Sequence, residues 1–312
     1  MYDRPGTRRV HGTSDIVQIF LQGDGNGFMH GIKHSALHPA SAPGFVAKRK
    51  AVSLPCALPP SPEVAKKPKG AISHFLHLPV KMMTQPDETT CGPTCLQAIY
   101  RYWDDDESLQ DIIARTGRLE QGGTFAVFLA CDALRKGYRA TIYTYNLTVF
   151  DPTWFGSRKV DIAQKLEDQC AVKTSYRLQH ATEGYLEFLR LGGNIKLIDL
   201  SRGLIEGMLR RKLPILTGLS STYLYRAPRE YEADCKPDDV NGVPTGHFVV
   251  IAGYNHDTRK VLVMDPYQLN PYGPHEYWIG LDRVLGAVLL GIVTHDANLL
   301  VIHPRNKRRG VL

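Results

Sequence analysis

From residue 74 onward the chain alternates between two hydrophobic rhythms. A period near 3.6 runs through "CLQAIYRYW" (95–103) and "SLQDIIARTG" (108–117), the second opened by Ser108 and closed by Gly117. In "TFAVFLACDALRKGY" (124–138), Phe125, Phe128, Leu129, Ala133 and Leu134 share one helical face, with Thr124 placed to cap its start and Gly137 to end it. Residues 160–169, 182–191 and 201–211 read as further helices, the last two bounded by "LGGN" and Pro214. Strand texture appears first in "RATIYTYNL" (139–147), then dominates the final third in "PILTGLSSTYLY" (214–225), "HFVVIAGY" (247–254) and "KVLVMDPY" (260–267). Helices gathered early and strands late predict an α+β domain over residues 71–312 rather than a wound parallel sheet.

Residues 1–70 follow neither period. They are rich in Gly, Pro, His and basic residues, and read as a disordered basic extension with "LPPSPEVAKKPKG" (58–70) as its linker. Charge supports the division. Ten of the 38 Lys and Arg but four of the 31 Asp and Glu fall in residues 1–70, leaving a near-neutral 28 against 27 for the rest. A folded part so balanced argues against a nucleic-acid or membrane partner. No apolar run approaches the length of a membrane span, and "DIVQIFLQGDG" is too short and polar for a secretory signal. The six cysteines (56, 91, 95, 131, 170, 235) are scattered, which suits reduced thiols in a cytoplasmic protein.

The loop-to-helix junction "TQPDETTCGPTC" (84–95) carries candidate chemistry. Thr89 and Thr90 are capping types, and Pro93 is tolerated only in a first helical turn, so Cys91 falls at the helix N-terminus. Unpaired amides and the positive end of the macrodipole there favour a thiolate nucleophile. Cys95, one turn further in, should pack in the core. A thiolate needs a base. If "NHDTR" is a hairpin turn centred on His256, position 247 stands opposite position 265, and His247 and Asp265 share a face. A register slip of one residue would separate them. Gln85, six residues before Cys91, can join a main-chain amide as an oxyanion donor.

Gln85, then Cys91-Gly92-Pro93, then Gly246-His247-Phe248 and Asp265-Pro266, resembles the bacteriocin-processing, double-glycine-leader peptidases, cysteine-peptidase family thirty-nine of the papain-like superfamily. The likeness runs over about residues 82–305, with a stand-alone branch nearest. It implies a papain-like fold, with an N-terminal catalytic helix packed on an antiparallel β-sheet. It also implies a cysteine peptidase that needs no cofactor or metal, with Cys91 as nucleophile, His247 as base, Asp265 as third member and Gln85 as oxyanion donor. The expected substrate is a peptide or isopeptide. Because members of that branch are sometimes encoded beside ATP-grasp ligases, the resemblance implies such a ligase or its peptide product as a partner. The chain departs from transporter-linked members in lacking a membrane domain and an ATPase motif. It also inserts "YNLTVFDPTWFG" and "GLSSTYLYRAPREY" between helix and hairpin, which leaves double-glycine specificity open.

Several alternatives stand beside this reading. His256 and His295 are rival histidines, each more simply a loop residue. Cys91 and Cys95 as a zinc pair lack a second close pair of ligands. Tyr223 and Tyr225 could line a substrate cleft, though strand aromatics more often face a core. An acyl-enzyme could pass its acyl group to an amine, as a transpeptidase or amidotransferase does, and the fold could serve as a non-catalytic peptide-binding module.

Overall fold

In a computed structural model, residues 75–305 are described apart from 120–121, 157–159, 232–234 and 295. The extension 1–70 and His295 lie outside the described residues. Strand β1 (Phe75–His77) leads through a loop to α1 (Cys91–Tyr102), whose residues Cys91 to Tyr100 are all buried. Helix α2 (Leu109–Arg115) starts where its sequence asks: the Ser108 hydroxyl accepts the Asp111 N–H at 3.1 Å. Helix α3 (Ala126–Arg135) does not. Thr124 donates its hydroxyl to Gly117 O instead, and the Ala126 N–H goes to the carboxylate of Asp296, from the far end of the chain, at 2.8 Å. A carboxyl oxygen from a distant segment thus takes the place of the expected hydroxyl. Gly137, at φ +89, turns the chain into β2 (Tyr138–Thr144).

The middle of the chain holds α4 (Ile162–Val172), α5 (Tyr176–Arg190), the short β3 (Asn194–Lys196) and α6 (Arg202–Arg210). Helix α5 begins six residues before the expected 182, and Leu178 and Ala181 in that added stretch are buried. The run at 214–225 is not one strand. β4 (Ile215–Ser220) ends at a serine whose hydroxyl accepts the Tyr223 N–H, opening α7 (Ser221–Tyr225). Then come the two-stranded ribbon β5 (Glu230–Tyr231) and β6 (Lys236–Pro237), and β7 (Gly246–Asn255), β8 (Lys260–Met264), β9 (Glu276–Gly280), α8 (Leu281–Leu290) and β10 (Asn298–Pro304).

The main sheet runs β3-β2-β10-β4-β7-β8-β9, with β1 also on β7, and is antiparallel except for β2 against β3. The N-terminal helix α1 packs on β7, α3 on β2 and β10, and α8 on β4. This is the α+β arrangement expected, with the N-terminal helix packed on an antiparallel sheet. Among the described residues no helix is long and apolar enough to cross a membrane.

The β7–β8 hairpin corrects the expected register. Its turn spans 256–259, with Arg259 in the left-handed region at φ 53, so Asn255 opposes Lys260 and Gly253 opposes Leu262. Carried on unchanged, this register would set Asp265 opposite Val250 and turn it to the other face from His247. A bulge between Ile251 and Gly253 restores the parity: Ile251 opposes Val263 and Val250 opposes Met264. The next pair is then Val249 with Asp265, and His247 is its same-face diagonal neighbour.

Candidate active site

Cys91 is the first residue of α1. Neither threonine caps the helix. The Thr90 hydroxyl is spent on Asp87, donating to its carbonyl at 3.0 Å and accepting from its N–H at 3.2 Å, while Thr89 bonds the Asp87 carboxylate. With no side-chain cap and no acid in the first turn, the leading amides of α1 are left for another acceptor. Cys95 turns away and donates its thiol to Phe248 O. Burial, with Cys91 and Asp265 nearby, pushes its thiol well above the ordinary range. The two cysteines thus occupy different surroundings. Among the described residues, Cys91, Cys95, Cys131 and Cys170 are free thiols.

His247 stands on β7 opposite Leu219 of β4, and its Nε2 lies 2.9 Å from Asp265 Oδ1. That contact leaves Nδ1 for a second partner, and the Cys91 thiol is near enough to act on the ring. Burial alone would favour neutral imidazole, but Asp265 and then Cys91 outweigh it and raise the affinity of His247 for a proton. Burial likewise opposes the Asp265 carboxylate, which has no exposed surface. His247 and three further donors reverse this and hold it below the ordinary value: Tyr225 OH at 2.7 Å and Tyr277 OH at 2.8 Å on Oδ2, and the Tyr267 N–H at 3.0 Å on Oδ1.

Gln85 is tied to the same strand end, its N–H donating to Pro266 O at 3.0 Å. Its side chain is buried. Nε2 donates to Asp87 O at 2.9 Å and Oε1 has no partner, which leaves one amide hydrogen unassigned. Gln85, Tyr225, Thr245, His247, Tyr267 and Leu269 line a cleft of about 600 Å³, and the segment 221–230 supplies much of its other wall. The cleft therefore borrows from the insertion that follows β4.

All four candidate residues from the sequence come together, whereas His256 sits in the turn at the opposite end of β7. Tyr223 is largely exposed, while Tyr225 lines the cleft. Sequence reasoning missed Tyr277. Strand alternation held the signal, because Tyr277 pairs with Val263, two positions before Asp265.

The chain is similar to several solved structures, all at low identity. A double-glycine-motif protease from an AMS/PCAT transporter, in complex with the leader peptide, is 13% identical over 73% of this chain and 94% of its own, with a TM-score of 0.35. The peptidase domain of Streptococcus ComA, a bifunctional ABC transporter, is 12% identical over 72% and 99%, at 0.34. Xylellain, a cysteine protease from Xylella fastidiosa, is 13% identical over 78% and 91%, at 0.38. No curated protein sequence matches the chain. The model of the Peptidase C39-like family matches residues 77–277, a span from β1 to β9 that includes Gln85, Cys91, His247 and Asp265, and the chain belongs to that family.

Proposed function

We propose that this chain is a thiol-dependent hydrolase that cleaves a peptide or isopeptide bond through an acyl-enzyme on Cys91. The observation that carries this reading is the buried His247–Asp265 pair at 2.9 Å, with the Cys91 thiol among the groups that raise the affinity of the imidazole for a proton. A protonated His247 stabilises negative charge on the sulfur, and Asp265 fixes the ring orientation. The Cys91 sulfur adds to the substrate carbonyl. The oxyanion meets the free Gln85 amide hydrogen and a leading amide of α1. His247 gives its proton to the departing amine as the carbon–nitrogen bond breaks, leaving a thioester. It then takes a proton from water, whose hydroxide displaces Cys91 and releases the acid.

The test is alkylation of the native protein at pH 6, with the modified cysteines mapped. The half-buried Cys170 and the exposed Cys235 serve as the comparison thiols. Cys91 is expected to react at least tenfold faster than either, and Cys91→Ala to abolish amide turnover. Equal rates at the three thiols, or turnover that survives the substitution, would reject the nucleophile.

A further inference from the structure

The Asp265 carboxylate receives two tyrosine hydroxyls on the same oxygen, and the two tyrosines stand in different places. Tyr277 is buried on β9, whereas Tyr225 ends α7 and lines the cleft. Its ring lies 6.1 Å from that of His247 and 6.5 Å from that of Tyr267. Helix α7 is firmly set. The Ser221 N–H and hydroxyl both donate to Thr245 O at 3.0 Å, the Thr245 N–H donates to the Thr222 hydroxyl at 2.9 Å, and Tyr272 donates to Leu224 O at 2.8 Å. Thr245 immediately precedes the Gly246-His247 strand start, so the element bearing Tyr225 is stapled to the element bearing the base.

We propose that Tyr225 is a positioning residue for the Asp265–His247 pair: its hydroxyl holds Oδ2 so that Oδ1 meets the imidazole, and its ring is the cleft wall on which bound substrate packs. This rests on the hydrolase reading above. The groups facing Asp265 are His247 from β7, Cys91 and Cys95 from α1, Tyr225 from α7, Tyr277 from β9, and the adjacent Tyr267 and His275.

The experiment measures the pH dependence of Cys91 alkylation by iodoacetamide in the full chain, for wild type, Tyr225→Phe and Tyr277→Phe, together with KM and kcat on a peptide substrate for these and Tyr225→Leu. Each Phe variant removes one donor from the carboxylate, so the acid limb should move up by roughly half a pH unit. Tyr277→Phe should leave KM unchanged, while Tyr225→Leu should raise it about fivefold or more through lost packing. An acid limb for Tyr225→Phe that superimposes on wild type overturns the proposal. If wild-type Cys91 is fast and that superposition is found, Tyr225 alone is misassigned. If wild-type Cys91 is no faster than Cys170 and Cys235, the hydrolase reading fails and this inference falls with it.

Discussion

His247 and Asp265 meet at 2.9 Å because β7 carries one extra residue between Ile251 and Gly253. Each partner keeps the other charged in a buried place, which fixes the pH behaviour. Asp265 is lowered from 3.8, so its stabilising contribution is present above 3.8 and is lost as pH falls through its depressed value. His247 is raised from 6.5, so its contribution is full below 6.5 and is lost as pH rises through its elevated value. Both are complete between 3.8 and 6.5. Asp265→Asn should therefore cost the most thermal stability in that window and less on either side. It should also lower kcat roughly a thousandfold, since an amide cannot stabilise the imidazolium and misdirects its tautomer. A loss in kcat under tenfold would show that Asp265 does not orient the base.

Gln85 makes a separate prediction because its side chain is committed on one side only. The Asp87 carbonyl holds the amide in place, and a donor held in advance reorganises less on meeting an oxyanion. Gln85→Ala should lower kcat about a hundredfold with KM nearly unchanged. A change confined to KM would make Gln85 a substrate contact instead.

The parts of the site that were legible in the sequence are those written in local chemistry. Pro93 dates the helix start, and the hairpin brings His247 and Asp265 to one face. The register itself was not legible. Centring the turn on His256 missed the left-handed Arg259, and the one local sign of the bulge, Gly253 inside the strand run, does not say which strand gains the residue or how far the register moves. That the same face resulted reflects a net shift of two residues, from His247 to Val249 as the partner of Asp265. The cap of α3 was illegible for another reason. Asp296 lies 170 positions from Ala126, and spacing rules reach only one turn. Tyr225 read as a strand aromatic because its helix is opened by a single serine hydroxyl, that of Ser220.

The glycine after the nucleophile should be intolerant of substitution on packing grounds. A Cβ at Gly92 would lie 2.7 Å from Thr124 Cγ2, 3.2 Å from the Phe248 ring and 3.3 Å from Leu129 Cδ1, so strand, helix and loop would all have to give. Gly92→Ala should cost about 1–3 kcal/mol of stability. It should also slow Cys91 alkylation, because the strain is relieved by moving the start of α1. Wild-type alkylation in a destabilised variant would show that the helix start is held independently of this contact.

Asp296 titrates in the opposite sense to Asp265. It is buried with no cation beside it among the described residues, and burial pushes its carboxyl up to about 7 despite the hydrogen bonds from Asn298 and the Ala126 N–H. The folded state therefore holds this proton more tightly than the unfolded chain, whose value is 3.8, and the associated stability is full below 3.8 and lost as pH rises through about 7. The whole effect is on the order of 4 kcal/mol. Asp296→Asn keeps an oxygen for the Ala126 N–H and has no charge to bury. Its stability relative to wild type should be lowest near pH 4 and should improve steadily to pH 8, as read by denaturant midpoints across that range. A constant difference between the two proteins would mean that Asp296 is ionised throughout, with its charge held by the α3 terminus alone.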